Sequence, residues 1–169
     1  MKDRFKTLLI GIGNPNMGDD AIGLLVANEI KKQGLNIDTE MLYYISFEIL
    51  DKIIGYDKVI IVDAADIGLQ LGDIDLLTYS DIKGSEYLHN SHGLNLYQVI
   101  KVGYEVFNSN MPKNIYLLLI QTGKINSFKR GINRKLKENV PHIIERIKSV
   151  IGLKSLLPKE EIKCRTKLR

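Results

Sequence analysis

Hydrophobic residues along the chain follow two rhythms. Three short stretches are apolar almost without interruption: Thr7-Leu8-Leu9-Ile10-Gly11, Val59-Ile60-Ile61-Val62 and Ile115-Tyr116-Leu117-Leu118-Leu119-Ile120. Runs of this length, bounded by glycine or polar residues, are the pattern of strands covered on both faces. They predict strands over Lys6–Gly13, Lys58–Asp63 and Asn114–Gln121. Ile37–Tyr44, which alternates in part, and Gly72–Tyr79 add two more. Elsewhere the spacing is helical. Asp19–Gln33 carries Ile22, Leu25, Val26 and Ile30 on one stripe, and Phe47–Ile54 makes a turn or two. Gly93–Asn108 aligns Leu96, Val99, Ile100, Gly103, Val106 and Phe107. Lys129–Ile151 aligns Leu136, Val140, Ile143, Ile144, Ile147, Val150 and Ile151. Pro141 should kink or restart that last helix, and His142 beside it reads as a surface histidine.

Strands alternating with helices predict a three-layer α/β/α sandwich. One connection departs from the alternation. Between Asp63 and Gly72 there is no room for a crossover helix of a dozen residues, so the fourth strand should run antiparallel. The expectation is a mixed five-stranded sheet, phosphorylase/hydrolase-like, in one domain over residues 1–151.

Composition narrows the function classes. The 169 residues carry a formal net charge of +4, but residues 152–169 hold six basic residues against Glu160 and Glu161. The preceding residues balance exactly in charge, so the basicity belongs to a tail expected to be flexible. Nucleic-acid binding by the body loses its support. A single cysteine, Cys164, rules out an internal disulfide framework or a cysteine-rich zinc site. The apolar run after Lys6 is too short for a signal-peptide core or a membrane span. A cytoplasmic protein without membrane partners is expected.

The chemistry concentrates at strand ends. Gly11-Ile12-Gly13-Asn14-Pro15-Asn16-Met17-Gly18-Asp19-Asp20-Ala21-Ile22-Gly23 lies between a buried strand and an amphipathic helix, where α/β proteins place ligands. It is not a dinucleotide fingerprint: Asn16 stands where the third glycine belongs, and two carboxylates would repel a phosphate from the helix start. No nucleotide cofactor is expected. Asp19 reads as the helix cap. Asp63 closes the apolar run Val59–Val62, where an ionised carboxylate is costly unless paired. His89-Asn90-Ser91-His92-Gly93 leads into the third helix. If that helix begins on the same sheet edge, Asp20, Asp63 and His92 converge. Two carboxylates and an imidazole from separate loops suit a divalent transition metal with open coordination positions.

Gly11–Gly23, the strand end Val62-Asp63-Ala64 and the pair Ser91-His92 resemble the hydrogenase maturation proteases, also called hydrogenase-processing endopeptidases (peptidase family A31). The likeness runs from about residue 6 to 151, and Asn14–Asp20 is most similar to the branch serving F420-reducing hydrogenases. It implies a mixed-sheet sandwich and an aspartic-type or metal-dependent endopeptidase. Such an enzyme removes a C-terminal peptide from the precursor of a nickel-iron hydrogenase large subunit. It further implies that Asp20, Asp63 and His92 recognise nickel carried by that substrate, with Asp20 and Asp63 serving catalysis. The chain departs from the family at Tyr43-Tyr44-Ile45-Ser46-Phe47-Glu48, where many members have a glycine-threonine segment. It departs again at Gln121-Thr122-Gly123-Lys124, where many have glycine, an acid and proline.

Two other readings compete. Gly11–Pro15 resembles the opening loop of peptidyl-tRNA hydrolases, but the threonine-arginine-histidine-asparagine segment of that family is missing here. A maturation chaperone that docks the large subunit without cutting it would present the same surface as the protease.

Overall fold

The structure, a computed structural model, describes residues 5–82, 95–123, 128 and 130–152. His92, the cluster around it and the basic tail lie outside the described residues.

Five strands form one sheet: β1 (Thr7–Ile12), β2 (Asp38–Leu42), β3 (Lys58–Ala65), β4 (Ile74–Thr78) and β5 (Asn114–Gln121). Their order is β2-β1-β3-β5-β4. β1, β2, β3 and β5 are parallel, and β4 pairs antiparallel with β5. The short link after β3 dictates this reversal, as the spacing predicts. Among the described residues, five α-helices surround the sheet: α1 (Ile22–Lys32), α2 (Glu48–Ile53), α3 (Tyr79–Ile82), α4 (Leu96–Phe107) and α5 (Arg134–Gly152).

The pleat divides the core in two. Leu8, Ile10, Val59, Ile61, Leu117 and Leu119 face α2, α3 and α4. Their neighbours Leu9, Ile60, Val62, Leu118 and Ile120 face α1 and α5. Because successive strand residues point to opposite faces, uninterrupted apolar runs are what a sheet clothed on both sides requires. The mixed-sheet three-layer sandwich expected from the sequence is the observed fold. No helix among the described residues is long and apolar enough to cross a membrane.

Four local expectations change. The helix predicted from Asp19 opens instead as a 3₁₀ turn, Gly18–Ala21, and becomes α-helical only at Ile22. α5 begins at Arg134 and not near Lys129, because the Asn133 side chain accepts the Lys135 N–H at 2.9 Å and caps it there. α5 also runs through Pro141 as one element. The proline lies on the solvent face, while Val140, Ile143, Ile144 and Ile147 fasten the helix to the sheet on both sides of it. Val106, placed on the apolar stripe of α4, is exposed: it falls at the stripe's edge in the last turn, whereas Leu96, Val99, Ile100 and Gly103 are buried. His142 is exposed, as expected.

Candidate active site

The strand order creates a crevice. From β1 the chain passes along α1 on one face to β2. It then returns through α2 on the other face to β3, on the far side of β1. The carboxyl ends of β1 and β3 therefore flank the point where the winding changes direction, and open α/β sheets bind ligands there.

Two glycines allow the chain to close on that point. A side chain on Gly23 would run into the carbonyl oxygens of Ile12 and Val62, so only glycine lets α1 sit against both strand ends. A side chain on Gly13 would strike the Asp20 carbonyl oxygen. The Gly13 N–H meanwhile donates to Leu42 O at 3.1 Å, holding the loop to the end of β2.

The loop turns back on itself through Met17 N–H to Asn14 O (3.0 Å), and Asp20 Oδ2 accepts the Asn14 N–H at 2.6 Å. Burial raises the Asp20 carboxyl above its ordinary range, and the Asn14 hydrogen bond offsets part of that rise. Asp63 stands near the end of β3, beside Leu119 of β5 in the sheet register. Its Oδ1 accepts the Ala64 N–H at 2.8 Å. Burial first and the charge of Asp20 second push its carboxyl up to about 7, against the opposing pull of the Ala64 N–H. Although some of the Asp63 residue surface reaches solvent, its carboxyl is the more enclosed of the two.

Asp20 and Asp63, far apart in sequence, are thus neighbours in space. Each is held by a single backbone N–H through one oxygen, and no donor among the described residues engages the other oxygen. A carboxylate pair anchored this way is suited to receive a cation or a proton. His92 is not placed, and among the described residues no cluster of three metal-ligating side chains forms.

Asp19 does not cap its helix. Its Oδ1 instead accepts the Asn133 N–H at 2.5 Å and ties the 3₁₀ turn to the start of α5. Gln121, noted in the sequence only as a departure, organises the adjoining loop. Its Oε1 accepts the N–H groups of Ile67 (2.8 Å) and Leu69 (3.0 Å), and its Nε2 donates to Asp66 Oδ1 at 3.0 Å. The signal available in the sequence was a lone amide ending an apolar strand, a position that burial makes costly unless every polar atom is paired.

A family model described as hydrogenase maturation protease matches residues 45–150. The chain belongs to that family. The matched stretch takes in Asp63 and His92, whereas Asp20 lies ahead of it. Among solved structures, the NiFe hydrogenase maturation protease HycI from Thermococcus kodakarensis KOD1 is similar at 26% identity and a TM-score of 0.70, over 89% of this chain and 94% of that one. The hydrogenase maturating endopeptidase HybD from E. coli shares the fold at 18% identity and a TM-score of 0.69, over 86% and 91% of the two chains. The endopeptidase HycI from Escherichia coli does so at 22% identity and a TM-score of 0.67, over 87% and 92%. No curated protein sequence matches. As a hydrogenase maturation protease, the chain is a peptidase.

Proposed function

We propose that this protease removes a C-terminal peptide from the precursor of a nickel-iron hydrogenase large subunit once nickel has been inserted. It would read the substrate's nickel through Asp20, Asp63 and His92. The observation that carries this reading is the meeting of two carboxylates, Asp20 and Asp63, each held by one backbone N–H, at the crevice between β1 and β3.

In the free protein the pair resists full ionisation, because enclosure of the Asp63 carboxyl and, second to it, the charge of Asp20 both disfavour the ionised form. A divalent ion brought by the substrate supplies the missing positive charge, so ligation displaces the Asp63 proton. His92, neutral, adds a nitrogen donor. Held by Asp20, Asp63 and His92, the substrate's ion would supply Lewis-acid polarisation of the scissile carbonyl for attack by water. A precursor lacking nickel brings no such charge, and the site discriminates against it.

The test is co-expression with the large-subunit precursor and nickel, read as a mobility shift of the large subunit on a gel. Wild type should yield the shortened form, and Asp20→Asn and His92→Ala should fold normally yet leave the precursor full length. Full processing by either variant refutes the assignment. Precursor that co-purifies uncut with wild type would instead identify a maturation chaperone.

A further inference from the structure

A cleft of about 530 Å³ opens at the sheet edge opposite the carboxylate pair. Phe5, Leu35, Ile37, Ile54 and Tyr56 supply its apolar lining, with Asp38 among them. These residues come from the starts of β1 and β2 and from the turn joining α2 to β3, so the cleft lies where the parallel strands begin. Its walls belong to both layers of the core. Leu35 and Ile37 pack against the cluster under α1 and α5, whereas Ile54 and Tyr56 pack against the one under α2, α3 and α4. Both layers are thus open to solvent at one end, and a single apolar occupant would seal them together.

The last helix delivers the chain to this place. Lys58, buried at the start of β3, donates from Nζ to the carbonyl oxygens of Val150 and Ile151, both at 3.2 Å. A cation there suits the negative end of the helix dipole and fixes where α5 stops. The same ammonium stands 5.7 Å from the centre of the Phe5 ring. Lys58 thus spans the gap between the end of α5 and the wall of the cleft, a gap that two or three extended residues cover at about 3.3 Å each. Ile151 packs against the same cluster as Leu35 and Ile37. Beyond Gly152 the sequence continues Leu153-Lys154-Ser155-Leu156-Leu157-Pro158-Lys159, leucines interleaved with lysine.

We infer that residues 153–157 dock in this cleft as an intrachain strap, with Leu156 and Leu157 against Phe5 and Tyr56. The place where α5 ends selects this occupant, because an attached segment avoids the loss of translational and rotational freedom that a separate molecule must overcome. Size agrees: the cleft falls within the range of about 300–1,000 Å³ usual for ligand sites, room for a few side chains and not for a folded partner. Charge agrees as well. Tyr56 OH donates to Asp38 Oδ2 at 2.8 Å, and Asp57 Oδ2 accepts the Lys6 N–H at 2.8 Å. These two carboxylates outnumber Lys6 at the cleft and suit Lys154 and Lys159 of the strap.

The experiment is nuclear Overhauser spectroscopy on the full chain, with isotope-labelled leucine and methionine methyl groups and labelled aromatic rings. Contacts from the Leu156 and Leu157 methyl groups to the rings of Phe5 and Tyr56 are the expected result. Leu156→Asp/Leu157→Asp should shift the Gly55 and Tyr56 amide signals and leave those of Asn14 and Ala64, at the opposite sheet edge, in place. Should that variant fail to fold, the wild-type contacts decide by themselves. Their absence overturns the strap. So do contacts from the Met1 methyl group to the same rings in place of the leucines, since the other end of the chain then fills the cleft. Contacts that arise only between differently labelled copies in a mixed sample also overturn it, because the occupant is then a second chain.

Discussion

The charge of Asp20 helps to hold a proton on Asp63, although the two residues belong to different loops at the ends of different strands. Burial of the Asp63 carboxyl, with the Asp20 charge added to it, costs stability. With its carboxyl raised to about 7 from 3.8, Asp63 keeps its proton in the folded protein over a range where the unfolded chain has released it. Stability therefore falls as pH rises from about 4 to about 7 and levels off above. The penalty is at most about 4 kcal/mol, and partial exposure of the residue lowers it. Asp63→Asn should remove this slope and unfold at higher denaturant than wild type at pH 8, while losing processing. Urea melts at a series of pH values measure both effects. A variant that is less stable at pH 8 would contradict the burial of this carboxyl.

The proposed role of Asp63 carries a pH response. A ligating carboxylate must first lose its proton, so on that proposal processing of nickel-loaded precursor should rise as pH increases through about 7. A rate that falls across that range would place the ionisation elsewhere.

Asp19 has a structural task, joining the 3₁₀ turn to Asn133. Asp19→Asn retains an oxygen for the Asn133 N–H and should be tolerated in both stability and processing. Asp19→Ala leaves that donor to solvent and should cost about 1 kcal/mol, read as a lower thermal midpoint. Equal midpoints for the two variants would remove the contact from the list of stabilising ones.

Gln121→Leu has a larger consequence expected. It removes the acceptor for two backbone N–H groups and the donor to Asp66, costing about 2–4 kcal/mol. Hydrogen exchange at Ile67 and Leu69 should accelerate ahead of the rest of the sheet. Unchanged exchange at both amides would show that the loop holds itself.

What the sequence made legible follows from its physics. Uninterrupted apolar runs located β1, β3 and β5, because strands buried on both faces leave no polar alternation to blur them. The length of the link after Asp63 gave the direction of β4. Asp20 and Asp63 were legible as carboxylates at strand ends, and the fold brings them together. The duty of Asp19 was not: in sequence an aspartate at a helix start reads as a cap, and only the tertiary approach of Asn133 offers it a different donor. Gln121 was missed likewise, since its partners at Ile67 and Leu69 come from a loop whose path no local pattern records. The start of α5 was misplaced because apolar periodicity is silent about where a cap ends a helix, and Asn133 supplies that cap.

The most direct measurement is anomalous diffraction from crystals of the protein soaked with a divalent transition metal. One ion bound jointly by Asp20, Asp63 and His92 in the crevice between β1 and β3 is the expected result. An ion bound elsewhere, or one held by the aspartates with His92 turned away from them, would contradict the proposed nickel-reading site.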